Sequence, residues 1–272
     1  FEDGGDFSEL EFARQAAEMI KSRHFEVVIG KKEFIDFIPE MVGFSDEPLA
    51  DLASIPLYFV SKLAREHVKT ALTGEGGDEI LAGYNMDVAA ARLDKLKKVS
   101  EYVPRGILYL LGGLAPGGKA ENVRALASGG WEGYLKSLHS NMTYYWTEEE
   151  KKLLWPGPGK YPSTVELIRS WYDTSSSMHP IDQLQQVYCH SWLVEDLLMK
   201  ADKMSMATSL ELRVPFLHHP FVEWAFSLPV SWKTGDRKRG YTSKRILREF
   251  ARKRIPDSII NRPKMGFPVP AY

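Results

Sequence analysis

Residues 73–79 read Thr-Gly-Glu-Gly-Gly-Asp-Glu, so three carboxylates crowd a turn that holds three glycines. The preceding residues 68–72 (VKTAL) are short and largely apolar, the pattern of a buried strand. Gly74, Gly76 and Gly77 open backbone angles that other residues avoid. Asp78 stands where a helix over Ile80, Leu81 and Tyr84 would begin, and it is expected to be that helix's N-cap. A strand, a glycine loop and a helix N-terminus together offer backbone N–H groups to an anion. Glu75, Asp78 and Glu79 at such a turn make chemical sense if a divalent cation lies between them and phosphates. The plainer alternative is a tight turn with one capping Asp and two solvated Glu.

A second candidate lies far downstream. Residues 233–254 carry ten Lys or Arg against two acids, Asp236 and Glu249. Most of this segment is expected to be a solvated face. Lys244 differs, because it falls in the first turn of a helix expected over 242–253, where the helix dipole disfavours a cation. A lysine there can reach an anion such as pyrophosphate; a lysine tolerated by water is the alternative. Residues 43–51 (GFSDEPLAD) form an acidic loop whose Asp46, Glu47 and Asp51, with Glu40 just before, face no local cations.

The elements that must position these groups follow from periodicity. Ser8 with Glu11 fits a capping box, and Leu10, Ala13, Ala17 and Ile20 continue a helix to about Ser22. Residues 25–29 (FEVVI) predict a strand. Phe34, Ile35, Ile38 and Val42 share one helical face, and a third helix starts near Ser54. After about residue 90 the strand signals stop. Residues 91–111 look helical, 112–118 (GGLAPGG) are a connector, and 131–172 are rich in Trp and Tyr. Residues 181–207 form a long amphipathic stretch of one or two helices, in which Met199, Met204 and Met206 are core filler. The rhythm of residues 1–90 is that of an α/β domain with a parallel sheet; 91–272 are mostly helical.

Other chemistries are weakly encoded. Residues 113–119 have Walker spacing, but Ala120 stands where Ser or Thr must hold magnesium. Residues 128–133 (SGGWEG) resemble a Ser-Gly-Gly-x-Asp-Ser loop, but Glu132 and Gly133 hold the Asp and Ser places and no apolar strand precedes Ser128, so they are read as a helix-joining turn. His218 and His219 are adjacent and point to different sides, suiting capping or packing. A net charge of −1 gives no field favouring nucleic acid or an acidic membrane. Cys189 is the single cysteine, which rules out an internal disulfide and suits a reducing, cytoplasmic setting. No apolar run approaches the ~20 residues of a membrane helix.

Five blocks, TGEGGDEILAGY, DEPLADLASIP, LLMKADKMSMATSLELRVPFL, TSKRILREF and RPKMGFPVP, together resemble the synthetase domain of glutamine-hydrolysing asparagine synthetases. β-Lactam and carbapenam synthetases share much of the pattern and remain alternatives, as does a non-catalytic scaffold. The resemblance implies an α/β fold with a parallel sheet of the adenine-nucleotide α-hydrolase (ATP pyrophosphatase) type and a mostly helical C-terminal half. It implies ATP and Mg2+ as cofactors and aspartate and ammonia as substrates. The reaction would pass through β-aspartyl-AMP to asparagine, with an N-terminal glutaminase domain as partner and a homodimer left open. By this resemblance Thr73, Gly74 and Gly76 contact the nucleotide, Glu75 transfers a proton and Asp78 lies near magnesium or substrate. Lys244 stabilises phosphate charge; the roles of Arg213 and of Asp46–Asp51 are left open. Leu52 replaces a small polar residue of the family. The family's pyrophosphate-gripping Ser-Gly-Gly-x-Asp-Ser loop is not found, so the 272 residues are expected to be an excised piece, inactive alone.

Overall fold

The architecture is a computed structural model that describes residues 9–49, 51–85, 87–88, 90–91, 102–104, 106–108, 110, 148–155, 157, 162, 166–167, 170–171, 178–236, 238 and 240–262. The expectations for Ser8, for the connector at 112–118, for the loop-like 128–133 and for most of the aromatic-rich 131–172 lie outside these residues. The RPKMGFPVP block does so too, apart from Arg262.

The described residues fall into two compact units. The first is drawn from Phe1–Leu81, Leu193–Leu228 and Lys244–Tyr272, the second from Ala82–Trp192 and Pro229–Ser243. Three helices open the first unit: α1 (Leu10–Met19), α2 (Lys31–Ser45) and α3 (Ser54–Arg65). At the start of α2 the Glu33 carboxylate accepts the Gly30 N–H at 3.0 Å, satisfying one of the amide groups a helix start leaves over. The apolar faces of α2 and α3 then bury Phe34, Phe37, Met41 and Ile55 with Ile29 and Met204. Phe37 stacks on Tyr58, with ring centroids 4.1 Å apart.

Strand β1 (Thr70–Leu72) follows α3, and the glycine turn leads into the short helix α4 (Gly77–Ile80). β1 pairs in parallel with β2 (Glu211–Arg213), in the register Thr70 with Glu211 and Leu72 with Arg213. The chain reaches β2 through a π-turn (Leu193–Leu198) and helix α7 (Met199–Met206). α7 packs on α3 and α2, which places Met204 in the core, whereas Met206 is exposed. A 3-10 turn (Pro215–Leu217), helix α8 (His219–Ser227), helix α10 (Arg245–Ala251) and helix α11 (Asp257–Ile260) complete the unit. His218 is the residue before α8, and His219 lies 3.7 Å from Glu223.

The second unit holds α5 (Glu148–Leu154), α6 (Pro180–His190), α9 (Val230–Thr234) and an antiparallel pair, β3 (Gly235–Asp236) with β4 (Gly240–Tyr241). Ile181, Leu184, Val187 and Tyr188 of α6 bury against Ala82, Ala90 and Ala91. Tyr188 donates its hydroxyl to Asp87 at 3.2 Å, while the other Asp87 oxygen accepts the Tyr84 N–H. Cys189, also on α6, is partly buried.

Several expectations are corrected. Residues 25–29 run without a sheet ladder, because β propensity gives an extended chain but a strand also needs a neighbour. Strands do occur past residue 90, as β2, β3 and β4. The parallel sheet is accordingly small, two strands of three residues among the described residues. Lys233 is not on a solvated face. Its side chain is fully buried and its ammonium donates to Asp182 at 2.8 Å and to Gln185 at 3.0 Å. No described helix is long and apolar enough to cross a membrane.

Candidate active site

The glycine turn is set by β1 on one side and by the segment after β2 on the other. Thr73 extends the ladder, its N–H donating to the Arg213 carbonyl at 2.9 Å. The chain then closes on itself, with the Gly77 N–H reaching the Gly74 carbonyl at 3.3 Å. Gly76 takes a φ of +85°, and it, rather than Asp78, precedes the first helical residue. Asp78 lies inside the first turn of α4, where a carboxylate still complements the helix dipole. Gly76 also has no room for a side chain. A Cβ built there would stand 2.2 Å from Leu217 Cδ2. A Cβ at Gly77 would meet the Phe216 ring at 3.5 Å, an ordinary contact distance. Gly74, by contrast, has open space where a Cβ would go.

Two carboxylates at the turn are withdrawn from water. Glu79 is 1% exposed. The Glu75 carboxyl is pushed above its usual range, first by burial and then by Glu79, Asp78 and Asp196, against a lowering pull from Lys200. Two solvated glutamates on a plain turn would show neither feature.

Lys244 lies at the turn. Its Nζ lies 2.9 Å from Asp78 Oδ2, and both side chains are about three-quarters buried. Its backbone placement differs from expectation. Helix α10 begins at Arg245, and Lys244 is the N-cap with φ 47° and ψ 40°. That left-handed conformation costs a non-glycine residue roughly 1–2 kcal/mol, and a strained residue held in contact with a site group is a functional hint.

The acidic loop does find cations, which the local sequence did not show. Lys200 of α7 donates to Asp51 Oδ2 and lies 3.6 Å from Asp196 in the π-turn. One turn further along α7, Lys203 donates to Asp46 at 2.5 Å. The other Asp51 oxygen accepts the Ala53 N–H at 2.9 Å, at the start of α3. Burial raises the Asp196 carboxyl, Lys200 lowers it and Asp51 raises it. The four-residue spacing of Asp196 and Lys200 was a signal available in the sequence; the partnership with Asp51 was not. Arg213 pairs with Glu211 at 2.8 Å, and both side chains are exposed.

The first unit therefore gathers Glu75, Asp78 and Lys244 at one turn, puts Glu75 within reach of the charges of Lys200 and Asp196, and pairs Lys200 with Asp51. Among the described residues, no group of three or more His, Cys, Asp or Glu side chains is arranged to hold a metal ion by itself. The donor set suits an ion that takes one carboxylate and completes its shell with phosphate oxygens and water, as magnesium does.

Several known proteins are similar over nearly all of this chain. A family model described as Asparagine synthase matches residues 1–272. The asparagine synthetase [glutamine-hydrolyzing] 1 of Bacillus subtilis (strain 168) is 36% identical over 272 residues, covering 99% of this chain and 41% of the relative. A putative asparagine synthetase [glutamine-hydrolyzing] of Mycobacterium bovis is 34% identical over 267 residues, covering 97% of this chain and 39% of the relative. A more distant relative, the amidase chry2 of Gibberella zeae, is 21% identical over 98% of this chain. The chain spans about two fifths of the length of these relatives. With a match from its first residue to its last, this chain belongs to the asparagine synthase family.

Proposed function

We propose that this chain supplies the ATP-consuming site of an amide ligase that makes asparagine from aspartate. The observation that carries the reading is the convergence of Lys244 on Asp78, beside the partly buried Glu75. An acidic turn repels a triphosphate unless cations stand beside it, and Lys244 is such a cation. Its ammonium has three donors, of which Asp78 takes one, so it can also serve phosphate oxygens.

A β-carboxylate oxygen of aspartate attacks the α-phosphorus of ATP, the bond to pyrophosphate breaks, and β-aspartyl-AMP forms. Ammonia then attacks the acyl carbon, the bond to the AMP oxygen breaks, and asparagine and AMP leave. Lys244 stabilises the charge that grows on the phosphates in the first step, a fixed electrostatic contribution of the strongest kind. Glu75 takes the proton that the attacking nitrogen must lose. Burial suits it, because a carboxylate raised toward neutrality is a better base than an exposed one. Thr73, Gly74 and Gly76 shape the turn against the nucleotide, and the open space over Gly74 admits a ligand against bare backbone. Asp78 is the residue that would hold magnesium, which when bound offsets phosphate charge. The relatives named as glutamine-hydrolysing synthetases suggest ammonia drawn from glutamine by a glutaminase domain of the intact protein.

Oxygen transfer tests the reading. With aspartate labelled by 18O in its side-chain carboxylate, the intact protein should return one labelled oxygen in AMP. Unlabelled AMP, or label in pyrophosphate, would exclude the acyl-adenylate route. Running other carboxylic acids beside aspartate separates this reading from that of a sister synthetase acting on a different acid, a comparison motivated by the differently named amidase among the relatives.

A further inference from the structure

We propose that Lys200 is a positioning residue of this site, which ties the loop before α3 to the carboxylates beside the glycine turn and supplies the cation that lets them stand together. The proposal rests on the ligase reading for what the site does, but not for its test.

The geometry is specific. Lys200 leaves the buried side of α7 with a side chain only 9% exposed. Its ammonium reaches Asp51, at the end of the acidic loop, and Asp196, one turn back on the same stretch of chain. Glu75 feels its charge from the glycine turn. Two carboxylates from separate segments thus pair with one ammonium, and a third, Glu75, lies within reach of its charge. Without it, Asp196 would be left between the like charges of Asp51 and Glu75, in a partly desolvated space where such charges interact strongly.

Asp51 makes the link mechanical as well as electrostatic. One of its oxygens holds Lys200 and the other holds the Ala53 N–H at the start of α3. Shifting Lys200 therefore moves the loop's attachment to α3. Lys203 contributes less, since its pair with Asp46 is largely exposed, Asp46 being 71% so, and such pairs are screened by solvent. Asp196 is carried on a π-helical segment, a rare form that is frequent at functional sites.

The test uses the intact protein and needs neither ATP nor turnover. Side-chain carboxyl titrations of Asp196 and Glu75 are followed by 13C NMR in wild type, Lys200→Met, Lys200→Arg and Asp196→Asn. The charged groups that act on Glu75 are Lys200, Glu79, Asp78 and Asp196, and those that act on Asp196 are Lys200 and Asp51. Lys200→Met should move both titrations upward, and Lys200→Arg should keep them near wild type. Hydrogen exchange at the Ala53 amide should speed up by about tenfold in Lys200→Met, as expected when a cap is loosened, and return toward wild type in Lys200→Arg. Asp196→Asn leaves Lys200 in place and removes a like charge, so it should move Glu75 downward even if Lys200→Met fails to fold. Unmoved titrations in a folded Lys200→Met, or a Glu75 midpoint unchanged or raised in Asp196→Asn, would overturn the proposal. Neither result would touch the 18O experiment, and unlabelled AMP there would leave these titrations valid.

Discussion

Lys244 offers a substitution pair that separates backbone strain from chemistry. Its φ of 47° and ψ of 40° put it in the left-handed region, at a cost of roughly 1–2 kcal/mol. Its ion pair with Asp78 at 2.9 Å is partly buried, at 27% and 21% exposure, and is worth about 1 kcal/mol at that level of solvent screening. Lys244→Ala keeps the strain and loses the pair, so it should destabilise the fold by about 1 kcal/mol. Lys244→Gly loses the same pair but relieves the strain, offset by about 0.5–1 kcal/mol of added unfolded-state freedom. The glycine variant should therefore be the more stable of the two by roughly 0.5–1 kcal/mol. That corresponds to about 1–4 °C in Tm for a unit of this size. Unfolding is best followed in the first unit, for example through Trp224, since a chain of two units need not unfold in one step. Ligase activity should behave differently. Both variants lack the phosphate-facing ammonium and should fall by about 10²–10³-fold. Equal stability of the two variants would refute the strain argument. An active glycine variant would refute the chemical role.

Other outcomes follow from the same contacts. Gly76→Ala combines an unfavourable φ with a Cβ 2.2 Å from Leu217 and should cost about 2–4 kcal/mol in chemical denaturation; adding Leu217→Ala should return part of it. Gly74→Ala meets nothing within 4 Å, so its stability should stay within about 0.5 kcal/mol of wild type while nucleotide binding, read by calorimetry on the intact protein, weakens. In the second unit, Lys233→Ala leaves Asp182 and Gln185 without their buried donor and should cost about 3–5 kcal/mol.

Glu75 carries a pH signature. Its carboxyl titrates above the usual range because of burial, so the folded state holds that proton more tightly than the unfolded chain. The stability this gives is full below the unfolded-state pKa and is lost as pH rises through the raised folded-state value. Glu75→Gln should flatten that part of the stability profile between mildly acidic and neutral pH, with unfolding followed at each pH. A profile unchanged by the substitution would show that Glu75 is not desolvated.

Helices α1, α2 and α3 and the strand before the glycine turn were legible because each carries its own period or cap. The turn itself was legible as three glycines among three carboxylates, although Gly76 proved to be the cap and Asp78 a first-turn residue. What could not be read depends on partners distant in the chain. Glu211, Leu212 and Arg213 show no strand pattern alone, and become β2 only by pairing with 70–72. Residues 25–29 show the reverse, a strand composition with no ladder. Asp46 and Asp51 looked short of cations because Lys203 and Lys200 lie some 150 residues away. Lys233 looked like one charge of a basic surface, and only its packing against α6 shows it to be buried.

The most direct measurement is aspartate-dependent exchange of labelled pyrophosphate into ATP by the intact protein, compared among wild type, Lys244→Ala and Glu75→Gln. Exchange reports adenylate formation alone, before ammonia acts. Loss of about two orders of magnitude or more in Lys244→Ala, with exchange surviving in Glu75→Gln while asparagine formation falls, is the predicted result. Wild-type exchange that Lys244→Ala leaves intact would contradict the account.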